Sequence, residues 1–150
     1  AGTLLRLGGP LPTPAGGACA RPIPLACSAA PTTYRGSTAG RPAAVAGYGC
    51  AGARLDAGPE ATYRLDSPVT GAVTVRLRPH EADLDLVAVG AAPGGGCDAT
   101  DRCLAASQGV GLAEETVIFP VSRGGTYFVI VDGPTGAASG YTLTVSCAKE

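Results

Sequence analysis

Hydrophobic and polar positions alternate with period two along three stretches of this chain. Ala61, Tyr63 and Leu65 alternate with Thr62 and Arg64; Val73, Val75 and Leu77 alternate with Thr74, Arg76 and Arg78. Tyr141, Leu143 and Val145 alternate with Thr142, Thr144 and Ser146, which puts Cys147 on the apolar side. Successive side chains of a strand point to opposite faces, so each stretch predicts a strand with one buried and one wet face. Two runs, Thr116-Val117-Ile118-Phe119 and Tyr127-Phe128-Val129-Ile130-Val131, are apolar on both faces. They predict strands that are central or covered on both sides. Asp83 to Val89 and Thr32 to Ser37 add two more. Ser122-Arg123-Gly124-Gly125, Asp132-Gly133-Pro134 and Ser139-Gly140 are turn signals. Only Ala99 to Ser107 leaves room for a helical turn, beside Cys103. Seven or eight short strands between Gly/Pro turns predict an all-β, jelly-roll-like β-sandwich.

The first residues break this pattern. Thr3-Leu4-Leu5-Arg6-Leu7 is a short apolar segment, and Gly8 to Gly17 is a Gly/Pro spacer. The expected organisation is an N-terminal strand and linker over residues 1–18, then the sandwich over residues 19–150. Ala1-Gly2-Thr3 reads as a mature N-terminus after signal removal, or as a trimmed one. Burying the three leucines would contribute roughly 5 to 9 kcal/mol. The spacer reaches about 30 Å at roughly 3.1 Å per residue, against a radius of gyration of about 14 Å for such a domain. A segment of this kind suits β-strand addition to another copy, which repeated head to tail builds a filament. Leu4, Leu5 and Leu7 are the expected assembly strand; docking on the segment's own domain, or a frayed tail, are the alternatives.

Composition narrows the class. There are 23 glycines and 13 prolines among 150 residues, and charged residues make up 15%, below the about 25% of ordinary domains. Net charge is −1 and the ten arginines are scattered, so a nucleic-acid stripe is absent. No apolar run is long enough to span a membrane as a helix. Six cysteines, with no Cys-x-x-Cys pair and one histidine, point to three disulfides and an oxidising compartment rather than zinc. Cys97 and Cys103 are expected to close a local loop. Cys147 should meet Cys19 or Cys27, with Cys19–Cys147 and Cys27–Cys50 preferred.

Gly58-Pro59-Glu60-Ala61-Thr62-Tyr63, Gly71-Ala72-Val73-Thr74-Val75 and Ala82-Asp83-Leu84-Asp85-Leu86 come in that order. Gly125 to Gly133 and Gly140 to Cys147 follow. The ordered set resembles the bacterial pre-peptidase C-terminal domain, in its cysteine-containing secreted variety. The resemblance covers roughly Ile23 to Cys147. It implies a non-catalytic β-sandwich that accompanies secreted enzymes or surface proteins, with calcium or fibrous substrates bound by some members.

Catalytic chemistry finds little footing. The single histidine, His80, lies in the turn Arg78-Pro79-His80-Glu81, and Glu114-Glu115 lacks an aromatic sugar platform nearby. Gly90 to Gly96 lacks the Lys and Ser/Thr of a phosphate loop. Asp83 and Asp85, two apart on an expected strand, are the candidate calcium ligands; Asp98 and Asp101 are a second pair. The chain has no Asn, so N-glycosylation is excluded, while its Thr/Pro-rich surface leaves O-glycosylation open. No other cofactor is expected. The leading expectation is a secreted, non-catalytic structural subunit that self-assembles through its N-terminal strand, plausibly into a fibre. The alternative is a calcium-dependent or polymer-binding accessory module of a secreted enzyme or cell-surface adhesin.

Overall fold

The computed structural model describes residues 19–45, 47–50 and 56–150. Within them nine strands form two sheets. β1 (Ile23–Pro24), β3 (Ala61–Asp66), β8 (Thr126–Asp132), β5 (Asp85–Ala91) and β6 (Cys97–Ser107) make one sheet, in that order. β2 (Thr32–Ser37), β9 (Gly140–Lys149), β4 (Gly71–Pro79) and β7 (Glu115–Val121) make the other. Every pairing is antiparallel except the two-residue β1–β3 bridge. The fold is an all-β sandwich, and no helix of the described residues is long and apolar enough to cross a membrane.

The period-two stretches bury the faces they predict. Tyr63, Leu65, Val73, Val75, Leu77, Tyr141, Leu143 and Val145 point between the sheets and form the main core. Hydroxyls buried this deeply need partners, and those of Tyr63 and Tyr141 meet at 2.6 Å.

β8 and β5 are apolar on both faces for a separate reason. Val129, Val131, Leu86 and Ala88 face the main core. Phe128, Ile130, Val87 and Val89 face outward, where Val45, Tyr48 and Cys19 cover them in a second core. The connection between β2 and β3 thus adds a partial third layer to the sandwich. Ala99 to Ser107 forms no helical turn; it lies within β6.

Two expectations from the sequence are corrected here. β7 is an edge strand, not a central one. Val117, Phe119 and Val121 face in, while Thr116, Ile118 and Pro120 face solvent, and Ile118 is 63% exposed. Pro120 lacks an N–H, and an edge tolerates that loss.

The disulfides join Cys19–Cys97, Cys27–Cys147 and Cys50–Cys103. The local Cys97–Cys103 loop does not form, nor do Cys19–Cys147 and Cys27–Cys50. Cys97 sits opposite Ala91 and Cys103 opposite Val89, with the register shifted between them. Both therefore project side by side from the outer face, where Cys19 and Cys50 arrive from the covering layer. Side chains standing parallel on a strand do not aim at each other as a bridge requires. Cys147 does meet the N-terminal region, through Cys27. All six cysteines are bridged, as befits an oxidising, extracytoplasmic setting.

Candidate functional site

Acidic side chains collect at one end of the five-stranded sheet. Asp85 opens β5 and Asp132 closes β8, and they are register partners. Glu60 stands one position before Ala61, whose partner is Val131, so Glu60 comes level with Asp132. Three neighbouring strands thus carry Glu60, Asp132 and Asp85 in a row, all buried. Like charges in such a row repel, and burial disfavours ionisation further. Burial first, then the Glu60 and Asp56 charges, push the Asp132 carboxyl up to about 8, against the hydrogen bonds that oppose the shift. Those bonds come from the Tyr48 hydroxyl, 2.6 Å from Oδ2, and the Gly133 amide, 2.8 Å from Oδ1. Burial also raises Glu60, although the backbone N–H of Val45 donates to its Oε1 at 2.7 Å.

The two expected calcium ligands belong to the same end. Asp83 lies in the turn before β5 rather than on the strand, because the strand begins at Asp85. Glu115, at the start of β7, joins them, and Asp83, Asp85 and Glu115 each bring a carboxylate oxygen within 4.8 Å of the others. The Ser107 hydroxyl and the Gly109 amide donate to Glu115 Oε1, and Gln108 Nε2 donates to the buried Asp56 at 2.8 Å. Three hard oxygens at this spacing match part of the donor set that calcium takes. Asp98 and Asp101 instead lie within β6, where the Asp101 amide donates to Asp98 Oδ1 at 2.9 Å. His80 is exposed, with Nε2 3.0 Å from Thr142 Oγ1. Leu4, Leu5 and Leu7 lie outside the described residues.

Asp56, Glu60 and Asp132 did not stand out in the sequence as a group. Glu60 entered there only within a strand motif, and Asp132-Gly133-Pro134 as a turn. Only the register of β3, β8 and β5 brings Glu60 and Asp132 level with Asp85.

Cavities open on the surface of the described residues. A groove of about 450 Å³ runs past Asp101, Arg102, Thr126 and Tyr127. A pocket of about 260 Å³ lies where the chain around Cys19 meets the covering layer, with Arg21, Arg41, Glu60 and Thr62 in its wall.

No protein-family model matches the sequence, and no curated protein matches it significantly. Solved structures do match in fold. The pre-peptidase C-terminal domain of a collagenase from Bacillus anthracis shares 14% identity at a TM-score of 0.52, covering 82% of this chain and 92% of that one. PliG from Aeromonas hydrophila, a periplasmic inhibitor of g-type lysozyme, shares 15% at 0.53, covering 84% and 95%. The Yersinia pseudotuberculosis-derived mitogen shares 12% at 0.50, covering 81% and 88%. The chain therefore carries a β-sandwich like that of the pre-peptidase C-terminal domain, as its ordered strand motifs led us to expect.

Proposed function

We propose that this chain is an extracellular, non-catalytic accessory module that attaches a secreted enzyme or a cell surface to a polymer. The observation that carries the reading is the fold it shares with the collagenase's pre-peptidase C-terminal domain, over most of both chains. The surface groove past Arg102 and Tyr127 supports it by offering mixed polar and aromatic contacts. Co-sedimentation with insoluble polymers, both polysaccharides and fibrous proteins, tests it. At least one polymer should deplete the protein from solution, and failure across the whole set would sink the reading. In its calcium-dependent form Asp83, Asp85 and Glu115 hold the ion, favoured by the third carboxylate that the fold adds. EDTA should then lower both the melting temperature and polymer retention, and Asp85→Asn should abolish the response. An EDTA-insensitive protein that still binds its polymer removes the ion and keeps the module.

Self-assembly by strand donation is a second reading, favoured by one observation. Cys19 is tied to Cys97, which opens the edge strand β6. The outer side of β6 pairs with no strand among the described residues, and such an edge invites pairing with a strand from another copy. Deletion of residues 1–9, and Leu5→Asp with Leu7→Asp, should each leave a folded monomer from a chain that otherwise assembles. An intact chain that stays monomeric at high concentration eliminates this reading.

A further inference from the structure

The pocket of about 260 Å³ beside Cys19 has a distinctive wall. Arg21 and Arg41 stand exposed at it, Glu60 and Thr62 are buried at its base, and Ala20, Gly40, Pro42 and Ala44 complete it. None of these residues is aromatic, so a neutral sugar ring would find no stacking platform here. Charge is what the wall offers. Glu60 is the one acid among the lining residues, it is occupied by the Val45 amide, and burial favours its neutral form. Arg21 and Arg41 are the two cations among the lining residues, against that single acid.

The backbone holds these groups in place. Cys19 and Arg21 both adopt left-handed φ, 60° and 54°, a conformation unfavourable for residues with a Cβ. Such strain persists where surrounding structure enforces it, and it clusters at ligand sites. The Cys19–Cys97 bridge anchors this turn to β6. Arg41 donates Nε–H to the Ser37 carbonyl at 3.0 Å. That contact fixes one edge of the guanidinium, and its two terminal nitrogens carry the donors for a bidentate contact. Residues 1–18 contain no acid, so this chain's own N-terminal segment has no side-chain carboxylate to place here.

We propose that this pocket binds the carboxylate of a uronic-acid unit in an acidic polysaccharide, gripped by Arg41 and Arg21. The inference rests on the polymer-binding reading and names its ligand class. A pocket of this volume suits a single pyranose ring, and Thr62 is the one hydroxyl-bearing residue in its lining.

Titration of the intact, oxidised protein with an oligogalacturonate trimer, the neutral galactose trimer and inorganic phosphate tests the proposal. The acidic trimer should bind, with amide shifts confined to Ala20, Gly40, Ala44 and Thr62, and the neutral trimer should not. Arg41→Gln should weaken binding about tenfold, as the loss of one charge-assisted contact implies. Arg21→Gln should weaken it less, and Arg41→Lys should restore only part, because lysine keeps the charge and loses the fork. Both residues are exposed, so the melting temperature of each variant should be unchanged. Equal binding of the neutral trimer, or phosphate binding as tightly as the acidic trimer, overturns the proposal. Polymer binding that persists in the double Arg→Gln variant overturns the pocket alone. No binding to any polymer by the native chain overturns the module reading itself.

Discussion

Reduction of the three disulfides is expected to destabilise this domain by several kcal/mol, and to release its outer layer before its sandwich. The bridges close long loops, with sequence separations of 78, 120 and 53 residues. In the chain-entropy description each contributes about 4 to 5 kcal/mol. The loops overlap, so the three contributions do not add. Two of the bridges, Cys19–Cys97 and Cys50–Cys103, tie the covering layer to β6, and the third ties the segment after β1 to β9. Replacing Cys50 and Cys103 by Ser should therefore free the cover over Val87, Val89, Phe128 and Ile130. Hydrophobic-dye binding and proteolysis between β2 and β3 should rise, while amide exchange in β4 and β9 stays slow. Replacing Cys27 and Cys147 should instead lower the melting temperature of the whole domain. A fully reduced chain that melts with the oxidised one would refute the expectation.

Stability is also expected to fall as pH rises from about 4 to about 8. Asp132 is the reason. Its carboxyl titrates near 3.8 in the unfolded chain and is pushed up to about 8 in the fold, chiefly by burial. Between those values the folded state keeps a proton that the unfolded state has released. Raising the pH therefore favours unfolding across this window, and the contribution is complete below about 4 and lost above about 8. A tenfold difference in proton affinity between folded and unfolded chain corresponds to about 1.4 kcal/mol, so the effect is on the order of a few kcal/mol. Glu60, raised in the same direction by burial, adds to the slope. Asp132→Asn keeps an acceptor for the Gly133 amide and a polar contact to Tyr48 while removing the titration. The variant should be more stable than the native chain at pH 8 and close to it at pH 4. Urea melts in EDTA across this range measure the difference. A native chain whose midpoint rises from pH 4 to 8, or a variant with an unaltered slope, would contradict the assignment.

Much of the sandwich was legible in the alternation alone. Tyr63, Val75 and Leu143 each lie on a strand with one buried face, and a period of two is local information that the chain carries without its partners. The runs at Thr116 to Phe119 and Tyr127 to Val131 look alike in sequence, yet one is an edge strand and the other is central and covered on both faces. Their own residues do not separate them. What distinguishes them is whether a third layer arrives, and that layer comes from the connection between β2 and β3, which carries little strand pattern of its own.

The sequence by itself determined the all-β class, the inward set of side chains, the even cysteine count and the poverty of catalytic groups. Each of these follows from residue type and nearest-neighbour spacing. Tertiary structure alone decided the cysteine partners, the row of Glu60, Asp132 and Asp85, the approach of Glu115 to Asp83 and Asp85, and the presence of Arg21 and Arg41 in the lining of one pocket. All of these depend on strand register and on which segments cross in space. A register moved by one residue turns every side chain of a strand to the opposite face, so sites built across strands exist only once the sheets have formed.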